Sequence, residues 1–378
     1  MAQKAHIIQI IADAGPGGAP SHVVGLLRGL KQHAPEFELS LIAPTGWITN
    51  EAKNFAQVFP ADITSAIGRD SHQQFREALL AALKLHPDTD TILHFHGVRA
   101  GTLGSLNLRY RRPKKLLKTV YTEHLWTRDY HLPNKFRELL QLRLLADVGK
   151  RADRVIAVSN AVATFFLEKK LALPEHLVVI PNGVSLDNKL PSKPKRAVDE
   201  YHLGSIGSLV PLKGYADLIT ALPLIRQNHP KTHLTIIGDG PEKKNLQRLA
   251  KRLGVDRATH FLGSILDIKN QLTNWDLFIS TSHSESFGLG IAEAMAAGLP
   301  VIATHVGGVP ELVTKDTGHL VPPHDPDLLA KAVVNLLDKP AERTRLGGAA
   351  RERITRHFNL DQMVERTSAI YIDILKNN

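Results

Sequence analysis

Glu285 and Glu293 stand eight residues apart in "ESFGLGIAEAMAAG" (285–298), around the turn Phe287-Gly288-Leu289. The apolar run "WDLFIST" (275–281) reads as a strand that delivers Glu285 at its carboxyl end, and the residues after the turn read as a helix. Glu293 then lies early in that helix, on the side facing the same crevice. A carboxylate grips a vicinal diol with two hydrogen bonds, and amides at a helix start receive negative charge. Two carboxylates flanking an amide cluster therefore suit two diols flanking a diphosphate, which is the layout of a nucleoside diphosphate sugar. By itself the spacing is common, and an amphipathic surface helix accounts for it equally well.

Three glycine-rich segments sit at other strand-to-helix turns. "GPGGAPSHVV" (15–24) opens a helix where backbone amides approach an anion, but it is neither a G-x-G-x-x-G fingerprint nor followed by an acidic residue ending the next strand. "GSLVPLKG" (207–214) places Lys213 just before a helix, where it can meet a phosphate, and a plain surface lysine is the competing reading. "GDGPEKK" (238–244) lacks the G-K-[ST] of a nucleotide-triphosphatase loop. His94 and His96 lie two apart on one strand and so share a face, but the spacing names no third ligand and a metal site is not expected. "DTD" (88–90) precedes a strand instead of following one and reads as a solvated turn.

Short apolar runs alternate with helical patterns along the whole chain. "HIIQIIA" (6–12), "FELSLIAP" (37–44), "TILHFHG" (91–97), "LLKTVYTEH" (116–124), "RVIAVSN" (154–160) and "LVVIPNG" (177–183) read as strands, with helices over 21–33 and near 71–86. The polar segment 185–200, with two prolines and no apolar period, reads as a linker. Beyond it the alternation restarts, with strands at 201–210, 233–240, 258–264, 275–281, 300–304 and 318–323, and helices at 214–228 and near 242–253. This is βαβ alternation in two doubly wound halves: an α/β chain with a domain at 1–184, a linker at 185–200, a second domain at 201–355 and a terminal helix at 356–378 that returns to the first half. Sheets of this kind bind ligands outside the carboxyl ends of their strands, so strand-end residues carry the functional weight.

Length and composition agree with two soluble domains. The chain has 378 residues, 43% apolar and 22% charged, with no cysteine and hence neither disulfides nor thiolate chemistry. No apolar run reaches the length of a membrane span, and the first residues do not read as a secretion signal, so a cytoplasmic location is expected. The net charge of +10 is uneven: residues 1–185 hold 23 Lys and Arg against 16 Asp and Glu. Six of these cations, Arg109, Arg111, Arg112, Lys114, Lys115 and Lys118, fall within ten residues. Such density could face an anionic membrane surface or simply water. Nucleic acid is not expected, because no stacking segment or helix-turn-helix accompanies it.

Read together, "GPGGAPSHV", "HFHGVRAG", "YTEH", "ADRVIAVSN", "VIPNGV", "GSLVPLKG", "IIGDGP" and "SHSESFGLGIAEAMAAGLPVIATHVGGVPELV" resemble, in order and from the first strand to about residue 325, the glycosyltransferase family 4 group. The resemblance implies the GT-B architecture, two Rossmann-like domains facing across a cleft that closes about the linker. It implies retaining transfer of a sugar from a nucleoside diphosphate sugar to a sugar or lipid-linked acceptor, with no metal and no cofactor. Under it, Glu293 holds the donor ribose, while Glu285 and the Phe287, Gly288 and Leu289 amides hold the donor sugar. Lys213 neutralises the diphosphate, with Gly18 beside it across the cleft, His124 stands near the reaction centre, and Ser264 meets the nucleobase. Two positions depart from the pattern: Ser208 stands where an arginine is common, which puts ordinary donor affinity in question, and Ser185 stands where an aspartate is frequent. A nucleotide-sugar epimerase and a non-catalytic carbohydrate- or lipid-binding module are the competing functions.

Overall fold

The computed structural model describes residues 4–66, 68–108, 117–186, 199–265 and 268–376. Most of the linker (187–198) and the basic residues Arg109, Arg111, Arg112, Lys114 and Lys115 lie outside the described residues. The chain divides into two compact units, residues 1–183 with 360–378, and residues 184–359.

In the first unit, seven strands form one parallel sheet: β1 (Ala5–Ile11), β2 (Phe37–Ala43), β3 (Gln57–Pro60), β4 (Asp90–His96), β5 (Leu117–Glu123), β6 (Arg154–Ala157) and β7 (Leu177–Val179), in the order β3-β2-β1-β4-β5-β6-β7. Every residue of β1 is buried, as expected of a central strand covered on both faces. β3 was not expected from the sequence. It is an edge strand whose end residues are exposed, so it carries no apolar run to betray it. Ser159 of "AVSN" caps the helix Asn160–Glu168, its Oγ accepting from the Val162 amide at 3.2 Å. The last helix, Leu360–Lys376, supplies Met363, Val364, Tyr371, Ile374 and Leu375 to this unit's core. A Cβ on Gly29 would lie 2.3 Å from Val364, so only glycine lets the helix Gly18–His33 pack this closely.

The second unit holds six parallel strands: β8 (Tyr201–Ile206), β9 (Thr232–Ile237), β10 (Thr259–Gly263), β11 (Leu277–Ser280), β12 (Val301–Thr304) and β13 (Gly318–Val321), in the order β10-β9-β8-β11-β12-β13. The chain winds outward from β8 to β10, then returns to β11 and winds the other way. The switch between β8 and β11 is pinned by the Ser205 hydroxyl donating to the Ile279 carbonyl at 2.6 Å. Gly204 has to be glycine there, because its Cβ would lie 1.8 Å from the ring of buried Trp275. The first unit has the same kind of switch, between β1 and β4. Among the described residues, no helix is long and apolar enough to cross a membrane.

Candidate active site

The carboxyl ends of β8 and β11 are where a doubly wound sheet opens a crevice. After β8 the chain passes through Gly207 and a short 3-10 turn, Pro211–Lys213, to Gly214, which starts the helix Tyr215–Asn228 in the left-handed region at φ 61°. This turn abuts the segment leaving β11. The His283 amide donates to the Leu212 carbonyl at 2.8 Å, and the Thr281 hydroxyl to the Lys213 carbonyl at 3.2 Å. A Cβ on Gly214 would sit 2.0 Å from the Thr281 carbonyl oxygen. So held, Lys213 Nζ makes an ion pair with Glu285 Oε2, and the Ser282 hydroxyl donates to the same oxygen at 3.3 Å. Both charged side chains keep access to solvent, 26% for Lys213 and 14% for Glu285.

Glu293 lies in the helix Leu289–Ala296, half-buried. Burial pushes its carboxyl up to about 7, and among the described residues no hydrogen bond or cation offsets that cost. A desolvated carboxyl without a protein partner is a mark of a binding group. Gly288, at φ 96°, caps the same helix and leaves its first-turn amides without intrahelical partners. The Phe287 side chain plays no part in the crevice. It is 1% exposed and packs edge-on against Phe358, ring centres 5.8 Å apart, so only its backbone can serve a ligand.

Other expected residues are less central. Ser208 is exposed in the loop after β8, its carbonyl accepting from the Val210 amide at 2.9 Å. Ser264 is exposed just past β10, which lies two strands from β8 in the sheet. Asp239, beside it, holds Lys243 at 3.1 Å. Ser282, which steadies Glu285, was missed; the hydroxyl run "STS" before Glu285 was its only signal.

Gly18 and His124 belong to the first unit, and Gly18 is the first residue of the helix Gly18–His33. His124 follows β5, in a turn set by buried Glu123, whose carboxylate accepts from the Leu125 amide at 2.7 Å and the Trp126 amide at 3.3 Å. Burial raises the Glu123 pKa despite these bonds. His124 Nε2 lies 3.1 Å from His96 Nδ1, and His96 Nε2 lies 2.7 Å from Gln9 Oε1. His94 and His96 do share a face, ring centres 4.2 Å apart, but His94 is saturated by Tyr371 and Thr122, each at 2.6 Å. Burial holds His94, His96 and His124 well below the ordinary imidazole value and brings His22 down to about 4, so all four rings are neutral.

Two family models match consecutive parts of the chain: Glycosyltransferase Family 4 over residues 16–188, and Glycosyl transferases group 1 over residues 187–353. A glycogen synthase of Mycobacterium tuberculosis is 38% identical over 170 residues, 44% of this chain and 41% of the relative. A GDP-mannose-dependent monoacylated alpha-(1-6)-phosphatidylinositol monomannoside mannosyltransferase of Corynebacterium glutamicum is 33% identical over 247 residues, 60% of this chain and 64% of the relative. The chain thus spans about two fifths to two thirds of these relatives' lengths. Among solved structures, sucrose-phosphate synthase from Thermosynechococcus elongatus superposes with a TM-score of 0.81 at 22% identity, covering 99% of this chain and 100% of that one. Anabaena HepE in complex with UDP and glucose superposes at 0.79 and 23% identity, covering 97% and 98%. With these matches running from residue 16 to residue 353, and with two doubly wound parallel sheets, the chain belongs to the glycosyltransferase family 4 group of GT-B fold.

Proposed function

We propose that the chain transfers a glycosyl unit from a nucleoside diphosphate sugar to an acceptor hydroxyl, retaining the anomeric configuration and using no divalent ion on the donor diphosphate. The observation that carries this reading is the Lys213–Glu285 pair at the β8/β11 switch, with the unpartnered Glu293 carboxyl in the helix that follows. As the glycosidic bond to the donor breaks, charge grows on the leaving diphosphate. Lys213 and the helix-start amides around Gly288 are already oriented to receive it, at little cost in reorganisation. Glu285, anchored by Lys213 and Ser282, presents its carboxylate to sugar hydroxyls, and Glu293 takes the ribose diol. His124 is the acceptor-side residue of this reading.

HepE has been solved with UDP and with UDP-glucose, and the corynebacterial relative is named for GDP-mannose, so nucleotide sugars of both bases are candidate donors. Several relatives are named for phosphatidylinositol-based acceptors, which supports a sugar or lipid-linked acceptor in glycan or glycolipid synthesis, met at a membrane surface. The test is a donor panel of uridine, guanosine and adenosine diphosphate sugars, scored first by thermal shift and then by proton NMR of products formed with saccharide acceptors. Stabilisation by one donor and a product with the donor's own anomeric configuration are expected. Inverted product contradicts retention, and an epimerised sugar nucleotide formed without acceptor identifies an epimerase instead.

A further inference from the structure

His22, on the helix Gly18–His33, is 5% exposed, yet neither of its ring nitrogens makes a well-formed hydrogen bond. Asn182, also buried, approaches the ring as a hydrogen-bond partner without reaching full hydrogen-bond geometry. Asn182 can serve one nitrogen, which leaves the other buried with nothing to bond, and such a ring points to a missing ligand. Its neighbours are His124 and His96, with ring centres 4.9 and 5.5 Å away.

The surrounding bonds fix which nitrogens are available. Gln9 Nε2 donates to the Tyr371 hydroxyl at 3.0 Å, so Gln9 Oε1 is the acceptor that faces His96. His96 Nε2 therefore carries the proton, and the Nδ1 lone pair points at His124 Nε2, 3.1 Å away. A direct hydrogen bond between those two rings would satisfy them but leaves the His22 nitrogen turned away from Asn182 without a partner. One nitrogen from each of the three rings lies within 4.8 Å of the others. Tetrahedral zinc with bonds of 2.0–2.1 Å needs ligand nitrogens about 3.3 Å apart, which the His96–His124 pair already meets. The Gln9 carbonyl on the far nitrogen of His96 is the outer-shell acceptor that ligating histidines ordinarily have.

We infer that His22, His96 and His124 form a three-histidine site for one zinc-like divalent transition-metal ion, at the β1/β4 switch of the first unit. His94 takes no part, since both its nitrogens are bonded elsewhere. The site is separate from the donor grip, which calls for no ion; it shares His124 with the acceptor side of the transfer reading, so its test reads metal binding and not transfer. Asp217, His283 and His324 make a second, more exposed group in the other unit, where His283 and Asp217 already satisfy each other at 2.8 Å. That group is the competitor a titration has to separate.

The experiment titrates full-length, chelator-dialysed protein with cobalt(II), read by visible absorption, followed by zinc displacement. The expected result is one equivalent giving the intense bands of tetrahedral cobalt, bleached by one equivalent of zinc. His124→Gln and His22→Gln, changed separately on two different elements, should each weaken that binding by more than the roughly 10–100-fold that loss of an outer-shell partner costs. His324→Gln should leave the bands in place. Absence of tetrahedral bands in the unmutated protein overturns the inference whatever the variants do. So does their survival in both the His124 and His22 variants, or their loss in the His324 variant.

Discussion

Both units place polar residues at the switch point of a doubly wound sheet, but they solve opposite electrostatic problems. At β8/β11 the groups are charged and half-open: Lys213 is paired with Glu285, and the Glu293 carboxyl waits without a partner. At β1/β4 they are neutral and closed in, with Gln9, His94, His96, Thr122 and Tyr371 bonded into one buried chain. Accessible charge suits capture and release of an anionic ligand, whereas a neutral hydrogen-bonded chain costs little to bury and fixes the rings beside it in place. The contrast teaches that one topology yields an open mouth for an anion or a rigid histidine platform according to what lines it.

The sharpest way to break this contrast is Lys213→Ala. It removes the cation facing the leaving diphosphate and leaves Glu285 uncompensated, so turnover should fall by about 100- to 1000-fold in steady-state transfer assays. A fall of less than tenfold would mean that the cation is not where charge develops.

Glu293 offers a pH test. Its carboxyl keeps a proton up to about pH 7 when folded but only to about 4.5 when unfolded. The folded state thus binds more protons in that window, and stability should decline as pH rises from about 4.5 to 7 and then level off. Nucleoside diphosphate affinity should do the reverse, tightening toward pH 7 as the diol-accepting carboxylate forms. Glu293→Ala should weaken that binding by roughly 1–3 kcal/mol, and Glu293→Gln should flatten both pH profiles in calorimetry. An unchanged affinity profile in the Gln variant removes Glu293 from the site.

On the platform side, Tyr371→Phe strips His94 Nδ1 and Gln9 Nε2 of their partner. Chemical denaturation should register a loss of about 1–3 kcal/mol, with nucleoside diphosphate affinity unchanged. A matching loss of nucleotide affinity would erase the distinction between the two regions. The smallest effect is expected from Ser208→Arg. The exposed Ser208 has room for a longer side chain, and a bidentate cation there should tighten the donor several-fold and steepen its salt dependence. No change would mean that another basic group already fills that role.

What was legible in the sequence follows the same divide. Glu285 and Lys213 follow strand ends and Glu293 sits in the helix just after one, all within local motifs, so their chemistry could be read before their contacts were known. Their arrangement could not, because Lys213 meets Glu285 across 72 residues through backbone contacts no motif encodes. The platform was harder still. Tyr371 reaches His94 across 277 residues, and Gln9 inside "HIIQIIA" looks like one polar residue in a buried strand. The pairing of His94 with His96 was visible from their spacing, but it drew attention to the saturated ring, and His22 was hidden on a helix face. Apolar period located the central strands well and missed β3, whose edge position demands no apolar run.

The central claim, that the β8/β11 switch is the donor mouth, is tested most directly by hydrogen–deuterium exchange with and without uridine, guanosine and adenosine diphosphates. The account predicts that one of the three slows exchange in 207–217 and 282–293 together, leaving 90–96 and 117–124 unchanged. Protection confined to the first unit, or none with any of the three, would contradict it.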